Sequence, residues 1–165
     1  MLREEFKKTV EQYTEKGKTI IYLDESGFSV DCPRTHGYSN KGERCLGKKN
    51  WHAKGRTNVI GAIQNNQLLA VRLFDCSVDS NVFYAWLIEA LIPELPPESV
   101  VVMDNASFHK RNDMEESLKK ENHTLLFLPP YSPDLNPIEH KWAQAKAIRK
   151  RERCNTEELF SSNLI

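Results

Sequence analysis

The sequence predicts an α/β fold, a mixed five-stranded sheet flanked by helices. Three observations lead there. Five apolar runs of strand length punctuate the chain: "TIIYLD", "TNVIGAIQ", "QLLAVRLF", "VVVMD" and "HTLLFL". The second and third are separated only by Asn65 and Asn66, turn chemistry that joins antiparallel neighbours in a hairpin. The last two alternate with helical patterns, which gives parallel strands and right-handed crossovers.

The elements follow in order. Residues 2–16 read as a polar helix ending at Gly17, with one thin apolar stripe of Leu2, Phe6, Val10 and Tyr13. The first strand closes on Asp24 and a Ser-Gly turn. Residues 29–56, rich in Gly, Asn and Lys, read as irregular, and the hairpin follows. Asp79 and Ser80 can cap a helix whose apolar face is Phe83, Trp86, Leu87, Ala90 and Leu91, stopped by Pro93. The fourth strand ends at Asp104, residues 111–121 form a polar helix, and the fifth strand runs into a proline-rich loop. A last helix spans about Pro137 to Arg151, and the tail from Cys154 is weakly patterned. The expected organisation is a helical extension (1–17), one domain (18–153) and a tail (154–165).

The 165 residues suit one domain with a sizeable core, and 39% apolar with 28% charged residues describes a globular protein. No apolar run approaches the roughly 20 residues of a membrane helix, and the charged N-terminus is no secretory signal. A cytoplasmic location is expected. The four widely spread cysteines read as free thiols. A zinc set of Cys32, His36, Cys45 and His52 matches no common spacing, and the chain has no CxxC pair.

The net charge is zero, but its distribution is uneven. Lys41, Arg44, Lys48, Lys49, Lys54 and Arg56 cluster around Trp51 and His52, against the single acid Glu43. A second group is Lys141, Lys146, Arg149, Lys150, Arg151 and Arg153. Bases beside aromatics can track a phosphate backbone, and they can equally be solvated faces. Arg44, Lys48, Lys49, Arg56, Lys146 and Arg149 are the candidate contacts to such a backbone. The last two lie about two and three helical turns beyond Glu139, near its face.

Asp24 and Asp104 are expected at the carboxyl ends of adjacent parallel strands, where ligands of open α/β sheets bind. Two such acids raise each other's pKa unless a cation neutralises them. Oxygen donors suit Mg²⁺ or Mn²⁺. In the last helix Asn136 is a good N-cap, Pro137 an ideal first residue, and Glu139 falls in the first turn. The prolines before it stiffen the loop, so Glu139 is aimed rather than merely exposed, and it meets the two aspartates if the loop returns over the strand ends. The bland alternative makes Asn136 and Glu139 a capping box. Asp75, Asp79 and Asp134 are rival carboxylates, with Asp134 read as a loop cap. Ser26, Ser107 and Tyr131 read as loop residues with hydrogen-bonding roles, and Trp142 as core.

"YLDESGF", "VVMDNASFHK" and "LPPYSPDLNPIEHKWAQAK" resemble the catalytic domain of DDE-type transposases, in the mariner-type superfamily and its bacterial insertion-sequence branch. The similarity spans roughly residues 18–150, with 34 residues between Asp104 and Glu139. It implies an RNase H-like fold for residues 18–153. It implies that Asp24, Asp104 and Glu139 hold two Mg²⁺ ions, with Mn²⁺ able to substitute, and that Asn105, His109, Pro133, Asn136 and Pro137 support them. The implied activity is cleavage of double-stranded DNA at transposon ends and strand transfer into a target, usually at TA, by a homodimer on nucleoid DNA in a bacterial cell. Relatives carry helix-turn-helix modules ahead of this domain. The roughly 17 residues before the first strand here cannot make one. Two further readings stay open: an inactive remnant that binds DNA or a full-length transposase, and another RNase H-like hydrolase acting on hybrids or junctions.

Overall fold

The computed structural model describes residues 3–30, 41, 55–105, 112–161 and 165. In chain order these form α1 (Arg3–Glu15), β1 (Ile20–Ser29), β2 (Arg56–Gln64), β3 (Gln67–Phe74), α2 (Ser80–Trp86), β4 (Val100–Met103), α3 (Asn112–Lys120), β5 (Thr124–Phe127), α4 (Ile138–Glu152) and α5 (Thr156–Ser161). The sheet order is β3-β2-β1-β4-β5. β1 and β2 pair antiparallel, as do β2 and β3, whereas β1–β4 and β4–β5 are parallel.

Strand alternation sorts the core onto two faces. Ile21, Leu23, Ile60, Ala62, Val101 and Met103 face α2 and α3. On the other side Phe28, Val59 and Ile63 pack on α4 and α5, and Val100, Val102, Leu126 and Leu128 receive Phe6 of α1. The N-terminal helix is thus a packed part of the sheet's covering. Asn65 and Asn66 both take left-handed backbone, with φ of 47° and 66°, in the tight hairpin turn the sequence predicts. Asp79 caps α2 through side-chain bonds from the N–H groups of Asn81 and Val82.

Four differences from the sequence reading stand out. β1 does not end at Asp24. It continues to Ser29 because β2 pairs with it throughout, while β4 leaves after Tyr22↔Val102. Asp24 therefore sits in mid-strand, at the level where the parallel neighbour stops. The helical path after α2 does not stop at Pro93. It passes through a wide turn (Leu87–Leu91) into a tight one (Ile92–Glu94), where a proline in the first turn is tolerated. Within the tail, Thr156–Ser161 fold as α5. Asn155 and Glu158 form a reciprocal capping box, with N–H donors 2.8–2.9 Å from the side-chain oxygens, and Leu159 is buried against the α4 face. Arg149 is buried rather than on the surface.

Candidate active site

The parallel register sets up the first two acids. Ile20, Ile21 and Tyr22 pair with Val100, Val101 and Val102. Continuing that register by two residues puts Asp24 beside Asp104, just past the end of β4. Leu128 extends the β5 ladder, its N–H donating to Met103 O at 2.8 Å. The chain then turns through "PPYSPDLNP" into α4. A short 3-10 turn, Pro133–Leu135, closes the loop.

That loop is tied on both sides. Ser132 is buried, its hydroxyl donating to Pro130 O at 3.2 Å and accepting from the Arg3 guanidinium at 3.1 Å. Arg3 also grips both carboxylate oxygens of Asp134. Asp134 thus pairs with α1, and the contact holds its carboxyl below the usual range. Asn136, only 3% exposed, donates its side-chain N–H to Leu23 O at 3.2 Å and accepts from Ile138 N–H at 3.3 Å. One amide thereby joins the start of α4 to the residue before Asp24. Asn136 N–H donates to Pro133 O at 2.9 Å. This leaves the capping-box reading of Glu139 without its reciprocal bond.

Asp24, Asp104 and Glu139 line one cavity of about 410 Å³, together with Asn105, Leu128, Asn136 and the loop Pro129–Pro133. Asp24 is half-buried, whereas Asp104 and Glu139 are exposed. Burial pushes the Asp24 carboxyl up from 3.8 to about 7. A backbone hydrogen bond at Glu25 opposes the rise, and the charges of Glu139, Asp104 and Glu25 add to it. The surroundings of Asp24 thus disfavour its ionised form. All the side-chain donors are oxygens, the set suited to Mg²⁺ or Mn²⁺. Among the described residues, no group of three or more His, Cys, Asp or Glu side chains is gathered closely enough to form a ready metal site. The carboxylates stand around a shared cavity.

The remaining expected residues separate. Arg56 is exposed at the start of β2, and its guanidinium lies across Gly27: a Cβ there would fall 1.6 Å from Arg56 Nε. Lys146 is exposed, with Nζ 5.5 Å from the Phe28 ring centre. Arg149 is 6% exposed and donates to Val30 O at 3.2 Å, bracing the end of β1. It follows Trp142 and Ala145 on the buried stripe of α4, a helical spacing that gives its burial away. Arg44, Lys48, Lys49 and His109, with Ser107 and the zinc set, lie outside the described residues.

Sequence reasoning missed two contacts that shape the site. One is the Arg3 clamp on the loop, which local pattern cannot reveal. The other is Gly61, paired with Asp24 across β1–β2. A Cβ there would lie 3.0 Å from the Trp142 ring, so the glycine admits the indole one turn beyond Glu139. Gly inside an apolar strand is the signal for such an approach.

A family model described as DDE superfamily endonuclease matches residues 19–160. The chain is 27% identical over 130 residues to the Tc3 transposase of Caenorhabditis elegans, covering 74% of this chain and 40% of that protein. Among solved structures, the Mos1 strand transfer complex matches with a TM-score of 0.72 at 20% identity, covering 96% of this chain and 50% of that one. The mariner Mos1 paired end complex with Mg gives 0.69 at 18% identity, covering 98% and 54%. The chain spans about half the length, or less, of these proteins. The structural likeness carries the fold, which is RNase H-like.

Proposed function

This chain belongs to the DDE superfamily of endonucleases, and on that premise we propose that it is the catalytic domain of a mariner-type transposase, cleaving DNA at transposon ends and joining them to a target. The supporting observation is one cavity lined by three carboxylates from remote parts of the chain, with Asp24 feeling the charges of the other two. Asp24, Asp104 and Glu139 would hold divalent cations, Mg²⁺ with Mn²⁺ as substitute, in the two-ion manner of phosphoryl transfer. When bound, such ions activate the attacking oxygen and stabilise the leaving oxygen of an in-line displacement.

The chain's own residues do the rest. Asp24 would hold the cations as a carboxylate, a role for which its buried carboxyl must be deprotonated. Asn136 fixes the helix bearing Glu139 to the strand bearing Asp24. Leu128 and the prolines form a stiff wall beside the acids. No nucleophilic side chain is needed, because water and then a DNA 3′-hydroxyl attack phosphorus. Arg56 and Lys146, both exposed, are proposed to track the DNA backbone, and pairing of two transposon ends calls for a homodimer. The active unit is proposed to run from α1 through α5. No described helix is long and apolar enough to cross a membrane.

Plasmid nicking in Mn²⁺ or Mg²⁺ tests the reading, with Asp104→Asn as the control. Asp104 is exposed, so the variant should fold and lose nicking by 10²-fold or more on the scale of removed electrostatic stabilisation. Equal activity in the two proteins, or no divalent binding by either, removes the proposal. A binding-only remnant is the second reading, favoured by the lack of a ready metal site among the described residues. It predicts salt-sensitive DNA association without cleavage.

A further inference from the structure

Tyr131 stands out on the wall of the acid cavity. It is the one large ring among the described residues left wholly in water, at 101% relative exposure. Its backbone is left-handed, with φ of 54°. That conformation is ordinary for Gly or Asn and strained for a large aromatic residue. Strain of this kind persists where the surroundings over-determine it. Here Pro130 precedes Tyr131, and the buried, doubly bonded Ser132 follows it. The loop therefore presents an aromatic ring on a rigid mount, and it forgoes the burial such a ring usually brings. The sequence reading of Tyr131 as a hydrogen-bonding loop residue has no partner to support it among the contacts of the described residues.

We infer that Tyr131 is a stacking platform for an unpaired nucleobase adjoining the phosphodiester held over Asp24, Asp104 and Glu139. The inference rests on the nuclease reading above and names a contact within it. Tyr131 and the three acids line the same cavity, so one ligand filling it can meet both. A nucleotide does so: its phosphate belongs with cation-loaded carboxylates, and its base offers a flat apolar face. A base inside a duplex has both faces covered by neighbours. Only a terminal or splayed base is free to stack on a side chain. A pre-ordered tyrosine has little rotamer freedom left to lose on binding, which favours such a contact.

The test uses the whole chain with oligonucleotide duplexes that carry 2-aminopurine in a short unpaired end, in Ca²⁺ to hold cleavage back. Anisotropy reads binding and fluorescence quenching reads stacking. Wild type and Tyr131→Phe should quench the probe and bind alike. Tyr131→Ala and Tyr131→Asn should lose the quenching and bind about 5- to 150-fold more weakly, the range of one base–aromatic stack. Asn keeps the left-handed backbone, so its failure separates the ring from the loop's shape. An abasic nucleotide at the probe position should erase the difference between wild type and Tyr131→Ala. The assignment is overturned if Tyr131→Asn quenches and binds as wild type does, or if the abasic duplex still separates the proteins. If wild type binds no duplex at all, the DNA reading falls and takes Tyr131 with it.

Discussion

Asp24 shows how much one side chain's surroundings decide. Its folded pKa of about 7 lies above the ordinary 3.8, so the fold favours the protonated form. That contribution to stability is complete below pH 3.8 and is lost as pH rises through about 7. At roughly 1.4 kcal/mol per unit the ceiling is about 4 kcal/mol, and solvent reaching a half-buried group reduces it. In EDTA, Asp24→Asn should therefore be more stable than wild type at pH 8, by about 1–3 kcal/mol on that reasoning, with the gap closing near pH 3.5. Urea denaturation across that range measures it, and a constant gap would refute the assigned cause. The sequence carried this acid's place beside Asp104 but not its burial. Pairing with β2 prolongs β1 past the polar run "DESG", which looks like a turn when read alone.

At the level of elements, the strands and the hairpin were legible because their signals are local: apolar runs, the Asn-Asn turn, and Asp79 ahead of α2. α5 was not, since a six-residue polar helix has no pattern of its own and forms by seating Leu159 in the core. The burial of Arg149 is of a related kind, since it shares the helical stripe of Trp142 and Ala145. The contact between α4 and the sheet at Gly61 gives a sharp test. Gly61→Ala pushes a methyl to 3.0 Å from the Trp142 ring, and overpacking of this sort costs about 1–3 kcal/mol. In a Trp142→Phe background the penalty should shrink, as expected of coupled neighbours. A double-mutant cycle in thermal unfolding checks this, and additive costs would show that the indole does not set the spacing.

For the molecule as a whole, cation binding and folding should be linked. A divalent ion that binds only the native state at a hundred times its Kd adds about 2.7 kcal/mol of stability. Mn²⁺ should thus raise the melting temperature, more at pH 8 than at pH 6, because Asp24 must release its proton. Asp104→Asn should abolish most of the rise. Calorimetry with and without Mn²⁺ decides, and an unchanged rise in the variant would place the ion elsewhere. Much of this architecture could be read from sequence because the second and third motifs run directly off the ends of β4 and β5, whereas the first lies inside β1. The tethers between distant segments, Arg3 to Asp134 and Asn136 to Leu23, could not, since each joins residues more than a hundred positions apart.

The Arg3 tether has a practical side. Its ion pair with Asp134 is exposed, and exposed pairs weaken as ionic strength rises. Potassium chloride added to an assay therefore acts in two places, loosening the proposed phosphate contacts and slackening the strap that holds the proline segment in shape. An Arg3→Gln protein, already unstrapped, isolates the first effect, and the difference between the two salt titrations reports the second.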